Sequence, residues 1–316
     1  MGVKMKFKKL IVTITVLIIS VILLFGHFRD RNITTMYADD TWINDLGYSG
    51  DKVHRLTFNW PGDRSCPEIP VNINNKICEL GLDTGCGAGI FFTDVIENEL
   101  SYVLLGAIEA LNRDGSHRGW NKRIIVDEFT VFGDTYNSIE TTISDWNMYS
   151  SEKFNGAIGL TYFKSRIITL DYAGHRIAVS NNPIDYNNLN SDKYTVLPLF
   201  RTTAKNQESL PFFEAELNGK EVIVYLDTGK NYSYVYNPAA ASTMADKPDN
   251  FIDVPIKIGS IEMTLSEVVE INNMAQADGL PHPTMIELNS DQLWKNNLLV
   301  TLDLIDQKII FRRLVK

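Results

Sequence analysis

Two aspartates in this chain stand in the same three-residue setting. Asp83, Thr84 and Gly85 form a D-T-G tripeptide inside "ELGLDTGCGAG" (79–89), and Asp227, Thr228 and Gly229 form a second inside "VIVYLDTGKNYSYV", 144 residues later. A lone D-T-G says little, since a chain of this length meets one by chance in roughly one case in fifteen. A pair carries chemistry if folding brings its members together. Two carboxylates about 3 Å apart cannot both ionise, so they share one proton and titrate as a unit. The ionised member takes a proton from a water held between them, and the protonated member polarises a carbonyl. The neighbouring residues suit this. Thr84 and Thr228 carry hydroxyls able to hydrogen-bond across to the opposite loop, and Gly85 and Gly229 let backbone N–H groups approach the carboxylates with no Cβ in the way.

The elements that must present these aspartates repeat as well. "IPVNINNKICELGLDTG" stands against "FFEAELNGKEVIVYLDTG" at the same offset. Asn74-Asn75-Lys76 matches Asn218-Gly219-Lys220, a hairpin signal between two alternating runs. Cys78, Leu80 and Leu82 match Val222, Val224 and Leu226, the period of one strand face. Further on, "FTVFGDTYNSIETTIS" (129–144) parallels "IKIGSIEMTLSEVVEI" (256–271), and "IITLDYAGHRIAV" (167–179) parallels "LVTLDLIDQKIIF" (299–311). The first half is longer between its aspartate and its Gly turn, and its extra segment includes the polar "LNRDGSHRGWNKR". Short strands and turns dominate throughout, with room for one helical stretch near "TDVIENELSYVLLGAIEALN" (93–112). The chain reads as a duplicated, mostly β protein.

A hairpin, an apolar strand, D-T-G, and then a hydrophobic-hydrophobic-Gly segment together resemble the aspartic peptidases of the retropepsin and pepsin type. In the first half the last of these is Ala157-Ile158-Gly159; in the second, "MIELNSDQLW" (285–294) has no glycine at the comparable place. The resemblance runs over roughly residues 55–316 through repeated motifs. It implies two acid-protease β-barrel lobes in one chain and Asp83 and Asp227 as the catalytic pair, supported by Thr84, Gly85, Thr228 and Gly229. It further implies an extended peptide or protein substrate bound between the lobes, no cofactor, and a monomeric active unit. Residues 111–121 are the candidate flap. Cys86 and Lys230 follow the two glycines where such enzymes usually carry Ala, Ser or Thr; a nearby cation at 230 favours the ionised pair. The second class open to the same residues is a non-catalytic descendant that binds peptide or protein in the same cleft, favoured by Lys230 and the missing glycine.

Composition excludes several other classes. The chain has 316 residues, 44% hydrophobic and 22% charged, with a net charge of −9. That suits about two folded domains. Lysine and arginine do not cluster after the first nine residues, which argues against a nucleic-acid partner. No zinc spacing, H-E-x-x-H, G-x-S-x-G or P-loop occurs, so no metal is expected. Cys66, Cys78 and Cys86 allow one disulfide with a thiol left over, or three small buried hydrophobes.

The N-terminus speaks to location. "MGVKMKFKK" carries four lysines and is followed by an uncharged apolar run, Leu10 to Gly26. As a helix the run spans about 26 Å, and Phe28 brings it near the roughly 30 Å of a hydrocarbon core. Without a small-x-small cleavage site, an uncleaved signal anchor is expected, with the lysines holding the N-terminus in the cytoplasm and the remainder outside it. The expected organisation is a cytoplasmic stub (1–9), a transmembrane anchor (10–28), a polar juxtamembrane linker (29–50), an N-terminal lobe (51–182), an interlobe linker (183–205) and a C-terminal lobe (206–316).

Overall fold

A computed structural model describes residues 39–58, 66–111, 117–145, 154–204, 207–240, 250–274 and 276–314. The expected cytoplasmic stub over 1–9, the anchor over 10–28 and residues 29–38 of the linker lie outside these residues. No helix among the described residues is long and apolar enough to cross a membrane. The fold is mostly β, with barrel-like sheets, and its elements follow local sequence closely. At the first repeated hairpin Asn74 and Asn75 take φ 48° and 67°; at the second Asn218 and Gly219 take 53° and 75°. Two successive left-handed residues make the turn whose twist matches paired strands, and asparagine and glycine tolerate it best. Each turn joins an antiparallel pair, Pro67–Ile73 with Lys76–Leu82 and Phe212–Leu217 with Lys220–Leu226. Leu80, Leu82, Val224 and Leu226 are fully buried on the alternating face. Each contributes roughly 1.5–3 kcal/mol by leaving water.

In the second half these strands close a six-stranded barrel with Tyr234–Tyr236, Ile252–Ile258, Ile261–Ile271 and Thr284–Leu288. In the first half the matching strands join an eight-stranded sheet that curls until Pro67–Ile73 also pairs with His117–Val131. The late repeats have a different fate. The hairpins Ile167–Asp171 with Arg176–Ser180, and Leu298–Asp303 with Lys308–Arg313, meet along Ile167–Asp171 and Leu298–Asp303. With Val53–Arg55 and Tyr194–Pro198 at its edges they form a third, six-stranded sheet shared by both halves.

Three expectations change here. The helical stretch over 93–112 is instead a short 3-10 turn, Asp94–Glu99, and a strand, Tyr102–Leu111, paired with His117–Val131. Val103, Leu104 and Leu105 are all exposed, so no helical stripe is buried, and Gly106 sits at φ 139° beside a bulge, which a helix does not allow. The candidate flap 111–121 falls at the tip of this hairpin; residues 112–116 lie outside those described. Residues 39–50, read as the end of a spacer, pack on the shared sheet. Trp42, Leu46 and Tyr48 join Ile167, Leu299 and Ile310 in a core cluster. Buried Arg312 donates to Tyr194 Oη (2.7 Å) and Asp45 (3.3 Å) and also pairs with Asp39. Arg176 joins buried Asp171 to Asp40. A buried cation of this kind is retained only where carboxylates compensate its lost hydration, so sequence polarity over 39–50 marked ion-pair partners rather than a solvated tether. Lastly, the segment 183–205 contains the edge strand Tyr194–Pro198 and is not a free connection.

Candidate active site

Each D-T-G begins where an apolar strand ends. Asp83 follows Lys76–Leu82 and donates its N–H to Ile158 O (3.0 Å); Asp227 follows Lys220–Leu226 and donates to Leu288 O (2.9 Å). These bonds continue parallel strand pairs, Lys76–Leu82 with Gly156–Ile158 and Lys220–Leu226 with Thr284–Leu288. The aspartates are thus held at strand tips by the rigid centre of each half. The fold then brings the two tips together.

The join is reciprocal. Thr84 N donates to Thr228 Oγ1 (2.9 Å), and Thr84 Oγ1 donates to Leu226 O (2.6 Å). In return Thr228 N donates to Thr84 Oγ1 (3.0 Å), and Thr228 Oγ1 donates to Leu82 O (2.5 Å). Both threonines are essentially buried, so these four bonds replace water that cannot reach them. Gly85 N donates to Asp83 Oδ1 (2.7 Å), and Gly229 N to Asp227 Oδ1 (3.1 Å). A Cβ on Gly85 would lie 2.5 Å from the Asp227 carboxyl, and one on Gly229 would strike Asp83. All six residues singled out in the sequence therefore meet in one place.

The two carboxyls lie within hydrogen-bonding reach of each other. Burial raises Asp83, against hydrogen bonds from Gly85 and Asp227 and the charge of Lys230. Asp227 is raised well above the usual carboxylate range, by burial first and then by the charge of Asp83, with Glu287 adding and Lys230 opposing. The arrangement can hold one proton between two acids, the state needed to activate water and polarise a carbonyl together. The Cys86 thiol, pushed up by burial and by the charge of Asp83, stays protonated beside them. No two of the three cysteines are joined in a disulfide.

The missing glycine has a local explanation. In the first half a Cβ on Gly159 would collide with the carbonyl oxygen of Cys86. In the second half Asn289 stands at that place, and its side chain makes the contact. Its Nδ2 donates to Lys230 O (3.2 Å) and Asn231 O (2.9 Å). Its Oδ1 accepts from Ser233 Oγ (3.0 Å) and caps the helix Ser290–Lys295 through Gln292 N. Sequence reading also passed over Tyr225 and Glu287, which lie beside Asp227. Their only sequence signal was a mismatch, a tyrosine and a glutamate aligned with Gly81 and Ala157.

No protein-family model matches the chain, and no curated protein matches it. Among solved structures, basic 7S globulin from soybean is similar at 12% identity and a TM-score of 0.48, over 84% of this chain and 97% of that one.

Proposed function

We propose that this protein is an aspartic endopeptidase of two acid-protease lobes, with Asp83 and Asp227 as its catalytic pair. One observation carries the reading: two D-T-G loops from separate halves meet, locked by reciprocal threonine bonds, with their carboxyls in contact. The shared proton lets one aspartate act as base toward water while the other donates to the scissile carbonyl, and no covalent intermediate forms. Thr84 and Thr228 fix the separation of the pair, and Gly85 and Gly229 leave room for it. The active unit is a monomer, because one chain supplies both halves, and its substrate is an extended peptide or protein segment.

A second reading, a peptide- or protein-binding descendant without activity, draws on Lys230, whose charge favours ionisation of both aspartates. A pair with both members ionised has no proton to donate. Lys230→Ala separates the two. Removing the ammonium lets both carboxyls hold protons to higher pH, so the pH profile of peptide cleavage moves upward on both limbs. Cleavage of a mixed peptide library followed across pH reads this directly. Activity that appears only in Lys230→Ala would favour the binding role for the natural chain.

The same proposal places the domain outside the cytoplasm, tethered by residues 10–28. The full-length chain is expected to remain with membranes after carbonate washing, and a C-terminal tag to be accessible only from the outer side. A soluble form beginning near residue 27 would instead mark the segment as a cleaved signal.

A further inference from the structure

The two halves are not equivalent at the residues that flank their aspartates. In the first half Gly81 stands opposite Ala157 and Leu82 opposite Ile158, between neighbouring parallel strands. In the second, Tyr225 stands opposite Glu287 and Leu226 opposite Leu288. Tyr225 and Glu287 thus occupy the places of a glycine and an alanine. Over Gly81 the space is filled by Cys66 Sγ, 2.5 Å from where a Cβ would sit, and by the ring of Phe154. Over Asp227 it is filled by a phenol and a carboxyl. Glu287 is 3% exposed and Tyr225 is 9% exposed, its ring stacked on Phe212 at 5.1 Å. Tyr225 lies two residues before Asp227, on the same side of the chain, where its phenol feels the charge of Asp227. Glu287 stands between Tyr225 and Tyr234, its partners on the two adjacent strands.

We propose that Glu287, a positioning residue, assigns the shared proton to Asp227 and so makes Asp83 the base that takes the proton from water. The inference rests on the peptidase reading for its chemistry. A buried acid stands beside Asp227 where the matching strand beside Asp83 carries Ala157, and this breaks the symmetry of the pair; on the first half's other neighbouring strand Glu68, opposite Gly81, is only half-buried. The groups that face Asp227 are Asp83 and Cys86 from the first loop, Lys230 on its own loop, Tyr225 on the strand before it and Glu287 on the strand beside it. Lys230 acts on both aspartates in the same direction, lowering each. The Tyr225 phenol is raised far above its usual range by burial and then by Asp227, Asp83 and Glu287. It stays protonated and neutral beside the pair.

The step balances. As the water oxygen bonds to the scissile carbon, one water proton passes to Asp83. The carbonyl π pair moves onto its oxygen, which takes the proton from Asp227. The product is a neutral gem-diol, and the pair keeps its single negative charge, now on Asp227.

The test follows the two carboxyls one at a time. Full-length protein in detergent, labelled with carbon-13 at aspartate carboxyls, is titrated without substrate. The two signals are identified by their loss in Asp83→Asn and Asp227→Asn. Asp227 is expected to remain protonated to higher pH than Asp83. Glu287→Gln, nearly isosteric, should move the Asp227 titration to lower pH more than that of Asp83 and bring the upper limb of the cleavage profile down with it. An Asp83 that holds its proton longer than Asp227 in the natural protein overturns the proposal whether or not the variant folds. So does an Asp227 titration unmoved by Glu287→Gln. Because the titration needs no substrate, a protein that cleaves nothing but orders its carboxyls this way would sink the peptidase reading and leave the proton assignment standing.

Discussion

Asp83→Asn and Asp227→Asn are each expected to abolish peptide cleavage without unfolding the protein. Asparagine is nearly isosteric with aspartate and preserves the hydrogen bonds from Gly85 N and Gly229 N to the side-chain oxygens. It can neither accept the proton from water nor supply one to the carbonyl. Loss of one member should lower kcat by about 10³-fold or more, and the double variant should be little worse, because the pair acts as a unit. A second readout concerns stability. Both carboxyls are raised in the folded state, so the folded protein binds protons that the unfolded chain has released. Stability from these groups is present below the unfolded carboxylate range and falls as pH rises toward their folded values. Asparagine removes that penalty, so either variant should unfold at an equal or higher urea concentration than the natural protein at neutral pH. Full-rate cleavage by both variants would place the chemistry elsewhere.

Thr84→Val and Thr228→Val should cost the most stability among conservative changes at the centre of the molecule. Valine keeps the shape of threonine and removes the hydroxyl. In Thr84→Val the N–H of Thr228 and the carbonyl of Leu226 lose their partner; in Thr228→Val the N–H of Thr84 and the carbonyl of Leu82 do. Each buried polar group left unpaired costs about 1–3 kcal/mol, so each variant, with two such groups, should lose about 2–6 kcal/mol. Thr84→Ser and Thr228→Ser keep the hydroxyl and give up one methyl, about 0.8 kcal/mol. Urea unfolding of the four variants measures the difference. Activity should fall with the valine variants too, since the threonine bonds set the spacing of the carboxyls. Valine and serine variants of equal stability would show that the reciprocal bonds contribute nothing net.

Arg312 shows why some of this molecule escapes a reading by motif. It is one of two adjacent arginines near the C-terminus in the sequence, yet it is buried and binds Asp39, Asp45 and Tyr194, which come from distant parts of the chain. Nothing in its neighbours distinguishes it from a surface arginine. The same holds for Trp42, whose short polar surroundings read as a tether. Its burial is decided by the outer face of a sheet built from both halves.

What the sequence determined by itself is what nearest neighbours decide. Left-handed turns at Asn74-Asn75 and Asn218-Gly219, the alternation through Leu80 and Leu82 or Val224 and Leu226, and the two D-T-G tripeptides are local preferences written in adjacent residues. They sufficed for a duplicated, mostly β chain and for the six residues that meet at its centre. Tertiary structure decided the strand at Tyr102–Leu111, where pairing with His117–Val131 overrode a helix-like composition. It decided that Asn289 serves in the second half where Gly159 serves in the first, because a side chain can fill a gap that its own loop leaves. It also decided the electrostatic surroundings of the pair. These depend on burial and on charges at Asp83, Lys230 and Glu287, which converge on Asp227 from separate elements. Electrostatic energy depends on distance in space, and the sequence records only distance along the chain.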